Sequence, residues 1–178
     1  MARRKRELVM DALVGLMAVL ALSLLVRERL IPWFAERSVV DPGEPVQPSP
    51  DLVLARSGDS VPFRKGEASL LLVFRSTCEA CARALPAWNR LAGEAHWSTT
   101  AIGLEDAATA SAYAADRLPD ARVAVPRDID RFAFRFRVAV VPTTLLIDRE
   151  GRLVARRAGP LEEHDVQALR RLVGLPAH

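Results

Sequence analysis

The chain has 178 residues, 50% of them hydrophobic, with two cysteines and a formal net charge of +3. That length holds one domain with a sizeable core and something extra at an end. The charge excludes less than it suggests. Residues 1–37 carry seven Lys/Arg against four acids, which leaves eighteen of each sign in residues 38–178. The remainder is neutral, so its composition gives no support to nucleic-acid binding.

Residues 8–26 are apolar except for Asp11 and Ser23. A helix of that length spans about 28 Å, close to the roughly 30 Å hydrocarbon thickness of a bilayer. Arg3, Arg4, Lys5 and Arg6 precede the run and outweigh Arg27 and Arg29 after it. By the positive-inside rule, residues 1–7 are then cytoplasmic and the bulk of the chain is exported. A cleaved signal peptide is the competing reading, but the run ends in Val26, Arg27, Glu28 and Arg29 rather than in small residues. The expectation is a single-pass anchor in the cytoplasmic (inner) membrane with a periplasmic or other extracytoplasmic domain. Residues 27–50 follow as a juxtamembrane stretch and linker, with prolines at 42, 45, 48 and 50 that favour extended backbone. The domain is expected over residues 51–178.

Within that domain, 52–56 and 60–63 flank a turn-like Ser-Gly-Asp and predict a short hairpin. "ASLLLVF", 68–74, is a continuous apolar run, as in a strand buried on both faces. A helix is predicted from Cys78 to about Ala95 with Leu85, Trp88 and Leu91 on one side, then a strand over 98–104 and a helix over 107–118. Residues 128–142 fit two patterns. Phe132, Phe134 and Phe136 alternate as in a strand, whereas Ile129, Phe132, Ala133 and Phe136 fit a helix face. Residues 143–148 and 152–159 read as a hairpin about Arg149, Glu150 and Gly151. A last helix runs from Glu162 to Val173, with Val166, Leu169, Leu172 and Val173 inward. The order of elements predicts a three-layer α/β/α domain with a mixed sheet.

Both cysteines fall in "FRSTCEACARALP", residues 74–86. Three readings compete for Cys78 and Cys81. A structural zinc site needs four ligands, and there is no further cysteine, while His96, His164 and His178 stand apart. A two-thiolate copper(I) carrier remains as a non-catalytic alternative. A purely structural disulfide closing so short a loop stabilises weakly. The redox reading accounts for the surroundings. Cys78 follows a strand and opens a helix, where unpaired N–H groups and the dipole favour a thiolate. Cys81, one turn on, can resolve the mixed disulfide that Cys78 forms. No cofactor and no metal are expected.

Four features together resemble the thioredoxin fold in its membrane-anchored TlpA/ResA-like group. They are the strand "LLLVF" before the CxxC, Pro86 five residues after Cys81, "VVPTTLLID" with Pro142, and the hairpin "EGRLVARRAG". The resemblance covers about Leu52 to Val173. It implies a protein disulfide oxidoreductase with Cys78 as nucleophile, Cys81 as resolving thiol and a Cys78–Cys81 redox-active disulfide. It also implies a cis Pro142 whose preceding residue, Val141, pairs with substrate backbone. The partners it implies are exported client proteins with disulfides or dithiols, as in cytochrome c maturation, and a membrane thiol-electron donor. An oxidase or maturation factor for a disulfide-rich exported enzyme, in the manner of amine dehydrogenase accessory proteins, is the alternative within the fold.

The departures concern tuning. The group usually has Trp where this chain has Thr77, and many thioredoxins bury an Asp where this chain has Leu72. Glu79 is the nearest acid to replace it, and its charge would oppose thiolate formation. An exposed acid in a helix's first turn is also favourable for the dipole alone. Arg75 and Arg83 flank the site and would act in the opposite sense.

Overall fold

The apolar run that the sequence marks as a doubly buried strand is the one on which the sheet is organised. A computed structural model of the protein describes residues 15, 17, 19, 20, 23, 40–46, 52–61 and 66–174. Six strands and four helices follow in chain order: β1 (Leu52–Leu54), β2 (Ala68–Phe74), α1 (Glu79–Ala92), β3 (Trp97–Gly103), α2 (Ala107–Arg117), β4 (Arg122–Pro126), α3 (Ile129–Arg135), β5 (Thr143–Ile147), β6 (Leu153–Ala158) and α4 (Glu163–Leu172). The sheet order is β1-β4-β3-β2-β5-β6. β2 and β3 are parallel, as are β3 and β4, whereas β5 runs antiparallel to both β2 and β6.

All seven residues of β2 are buried. Leu70, Leu72 and Phe74 enter a core with buried residues of α1, α2 and α4; Leu71 and Val73 enter a second core with Phe132 and Phe136 of the α3 segment. Successive side chains of a strand point to opposite faces, so a strand apolar at every position requires cover on both. The result is the mixed α/β/α arrangement that the order of elements predicts.

The Phe-rich segment resolves in favour of the helix. Phe132 and Phe136 lie one turn apart and buried, ring centroids 4.8 Å apart, while Phe134 is 49% exposed. The expected first hairpin is seen over the described residues as a bridge from Val53 to Ser60, with Leu54 N donating to Asp59 O (2.7 Å) and Val61 N to Leu52 O (3.1 Å), while β1 also pairs with β4; residues 62 and 63 lie outside the described residues. β4 itself goes unannounced in the sequence, being only five residues that begin with an arginine and end with a proline. In α4, Val166 and Leu169 are buried as expected, but Leu172 is 47% exposed at the helix end.

The chain divides into two units, Met1–Val39 and Val40–His178. Residues 40–46, expected within the linker, belong to the second. Val40 and Val46 are buried, and backbone bonds join Val40 N to Arg135 O (2.8 Å), Gly43 N to Leu153 O (2.7 Å) and Val46 N to Gly151 O (2.7 Å). Arg156 donates to the carbonyls of Phe136 and Val40. This segment thus covers the free side of β6, an edge that would otherwise expose unpaired backbone. It moves the start of the folded unit from residue 51 to residue 40. Of the expected anchor, residues 8–26, only Gly15, Met17, Val19, Leu20 and Ser23 are described, all helical; the rest of it, and residues 1–7, 27–39 and 47–50, lie outside the described residues. Among the described residues no helix is long and apolar enough to cross a membrane.

At Gly103, the end of β3, α2 packs directly on the sheet: a Cβ there would overlap the Cβ of Ala110. Gly103→Ala is therefore expected to destabilise the domain by about 1–3 kcal/mol through overpacking. Urea unfolding of the two proteins checks it, with equal midpoints as the contrary result.

Candidate active site

Cys78 is the N-cap of α1, in extended conformation, and its sulfur accepts the backbone N–H of Cys81 at 3.2 Å. The first turn of a helix leaves N–H groups without intrahelical partners, and here a sulfur occupies the place a capping oxygen normally takes. Negative charge on that sulfur would meet a donor and the positive end of α1. Cys78 is partly exposed and Cys81 buried, and both are free thiols. The residue types alike, the two environments differ: burial pushes the Cys81 thiol up to about 12, the neighbouring Cys78 thiol adds to the effect, and the Arg75 backbone pulls the other way.

The Val141–Pro142 peptide is cis. Its carbonyl neighbour is the dithiol: Cys78 Sγ donates to Val141 O at 3.5 Å. The loop is fixed on both sides, by Thr143 Oγ1 donating to Val140 O (2.6 Å) and by Gly159 N donating to Pro142 O (2.7 Å). A buried bond from Trp88 Nε1 to Thr144 Oγ1 (2.9 Å) ties α1 to β5. The structure therefore brings Cys78, Cys81, Val141 and Pro142 into one site. Pro86 lies inside α1, where it cannot donate to the carbonyl one turn back.

The expected tuning residues fare differently. The Glu79 side chain is 91% exposed and bonded to Arg83 at 3.0 Å, an i,i+4 pair on the outer face of α1. Arg75 is exposed, and its carbonyl accepts the Cys78 N–H at 3.1 Å. The carboxylate that acts on Cys81 is Glu105. It accepts from Ser76 N (2.9 Å) and Ser76 Oγ (2.7 Å), on the loop that leads into the CxxC. Tyr113 of α2 stacks on Phe74 and packs against the core that holds Cys81, and burial followed by the charge of Cys81 raises its phenol above the ordinary range. Sequence reasoning passed over Ser76, Glu105 and Tyr113. A usable signal was present for Glu105, which follows a strand parallel to β2, since ligand-facing groups gather at the carboxyl ends of parallel strands. Leu72 is buried in the core shared with α1. Among the described residues, no group of three or more His, Cys, Asp or Glu side chains is placed to hold a metal ion.

Solved structures share this architecture. The thio-disulfide isomerase of Thermus thermophilus is 28% identical, with a TM-score of 0.59 over 77% of this chain and 99% of that one. A protein of Chlorobium tepidum assigned as the thiol:disulfide interchange protein DsbE is 22% identical, with a TM-score of 0.59 over 74% and 94%. The thioredoxin domain of a thiol-disulfide oxidoreductase from Bacteroides vulgatus is 14% identical, with a TM-score of 0.57 over 67% and 89%. Fold and dithiol together define a thioredoxin-like disulfide oxidoreductase. More narrowly, the chain belongs to the TraF family, described as the F plasmid transfer operon protein, whose model matches residues 64–159, more than half of its length. No protein of curated function matches the sequence.

The unequal thiols carry an expected outcome. Alkylation needs the thiolate, and at pH 8 a thiol titrating near 12 is ionised to only about one part in ten thousand. Iodoacetamide should label the reduced native protein once, at Cys78, with Cys81 joining only on unfolding or as pH rises towards 12. Peptide mass spectrometry reads the outcome, and equal labelling of both cysteines at pH 8 would contradict it.

Proposed function

We propose that the chain is an exported, membrane-tethered thiol–disulfide oxidoreductase that reduces disulfides of particular client proteins. The observation that carries the reading is the pairing of a partly exposed Cys78 with a buried Cys81 beside the carbonyl of Val141. In the reaction, the Cys78 thiolate attacks a client disulfide, and one client sulfur leaves as a thiolate that takes up a proton. Cys81 then loses its proton and attacks Cys78 Sγ, which breaks the mixed disulfide and releases the second client sulfur. Two electrons pass from the dithiol to the client, and the Cys78–Cys81 disulfide remains. Val141 and Pro142 form the docking edge, along which an extended client segment pairs with backbone.

The tether and the export rest on the apolar run at 8–26 and its four-residue basic flank. The reducing direction rests on the resemblance to anchored thioredoxin-like proteins, with a membrane thiol-electron donor restoring the dithiol. That resemblance supports heme-site cysteines of exported cytochromes c as one client class. The description of the TraF family supports exported proteins of a plasmid transfer system as another.

Cys81→Ser stalls the reaction at the mixed disulfide, so the variant in membranes should retain its client covalently on Cys78 while Cys78→Ser retains none. Capture of nothing by either variant would count against oxidoreductase function. For the direction, a reduction potential below roughly −200 mV agrees with a reductase, and one near −120 mV would instead mark an oxidant.

A further inference from the structure

The turn that delivers Cys78 to the head of α1 is held from outside its own segment. Cys78 N donates to Arg75 O at 3.1 Å, which closes a tight turn with Ser76 and Thr77 at its corners. Both donors of Ser76 go to one side chain: Glu105 accepts from Ser76 N at 2.9 Å and from Ser76 Oγ at 2.7 Å. An ionised acceptor makes such bonds stronger than a neutral one would.

Glu105 is itself fixed on both sides. Leu104 N donates to Phe74 O (3.0 Å), joining the chain that leaves β3 to the last residue of β2. Asp106 caps α2 by accepting from Thr109 N (2.9 Å). Glu105, between them in sequence, is partly buried. What the clamped turn presents is a sulfur: Cys78 Sγ accepts the Cys81 N–H at 3.2 Å and lies 3.5 Å from Val141 O. A thiolate keeps that N–H donor only while the turn holds its place, so a loosened turn weakens the support of the charged form.

We propose that Glu105 is a positioning residue for the attacking thiol: its two hydrogen bonds to Ser76 hold the 75–78 turn so that the Cys78 sulfur stays at the head of α1. The inference rests on Cys78 as nucleophile in the oxidoreductase reading above. Glu105 touches no substrate and exchanges no proton. In the step it serves, the Cys78 thiolate attacks a disulfide, a new sulfur–sulfur bond forms as the old one breaks, and the leaving sulfur departs with the electron pair. The charge of Glu105 acts against its hydrogen bonds, because a carboxylate disfavours a thiolate nearby, as it does at Cys81. The two effects can therefore be told apart.

Full-length reduced protein is mixed with one equivalent of an aromatic disulfide, dithiobis(nitrobenzoate), and the first thiolate release, from attack by Cys78, is followed by absorbance across pH. Glu105→Gln loses the charge and keeps both bonds, its amide oxygen taking the Ser76 N–H and its NH2 donating to the Ser76 hydroxyl. Glu105→Ala loses charge and bonds together. At pH 7 the first release should slow about threefold to tenfold in Glu105→Ala, with its pH profile moved upward, whereas Glu105→Gln should keep the parent rate or exceed it. Ser76→Ala, which removes one bond and no charge, should move the profile upward by less. Arg75, Glu79, Cys81 and Arg83 along the CxxC segment, and Tyr113 and Arg117 on α2, are the same in every variant. Coincident profiles for Glu105→Ala and Glu105→Gln, moved or unmoved, would overturn the positioning role. So would an unchanged profile for Ser76→Ala, which decides the matter alone should Glu105→Ala not fold. A first release that survives Cys78→Ser would instead overturn Cys78 as nucleophile, and the inference with it.

Discussion

Every arrangement at the site follows from how β2 is bracketed. Its antiparallel pairing with β5 sets Val73 opposite Thr143, and its parallel pairing with β3 sets Phe74 opposite Gly103. The first register brings the chain leaving β2 alongside the chain entering β5, which is why Cys78 meets Val141. The second brings the exits of two parallel strands together, which is why Ser76 meets Glu105. Two hydrogen-bond ladders on one strand thus bring together Cys78, the Val141 carbonyl and the Glu105 carboxylate, which lie far apart in sequence.

Position along α1 sets the difference between the two thiols. Cys78 caps the N-terminal end of α1, where it stays partly exposed, and Cys81, one turn further along the same face, is covered by the core. The inward position is costly for charge and the capping position is not, which supports Cys78 as the attacking thiol in the proposed reaction. The bond from Trp88 to Thr144 keeps α1 seated on the sheet, and with it the distance from Cys78 to the Val141 carbonyl.

What was legible in the sequence divides along the line between local and long-range causes. Residues 68–74, 79–92 and 143–158 carry their own pattern, and the CxxC is placed by the strand before it and the helix after it. The 128–142 segment carried two patterns, and the choice between them was made by the second face of β2, which needed Phe132 and Phe136 together. β4 is too short to announce itself and exists because β3 and β1 offer partners on either side. Residues 40–46 look like a proline-containing spacer, yet the open edge of β6 gives their backbone a use. Ser76 and Glu105 escaped for the same reason, since only the sheet register brings them together beside the CxxC.

Glu79 and Glu105 show why proximity in sequence misleads about electrostatics. Glu79 sits between the cysteines, but its carboxylate is in water and paired with Arg83. Water and counterions weaken the field of such a group before it reaches a buried sulfur. Glu105 is far along the chain, yet it is partly buried, fixed by two hydrogen bonds from Ser76, and its charge bears on Cys81. The medium between two charges therefore outweighs their spacing in the sequence. It follows that Cys81 is set first by its burial and then by Cys78, with Glu105 adding in the same direction, and that the acid inside the CxxC chiefly serves the first turn of α1.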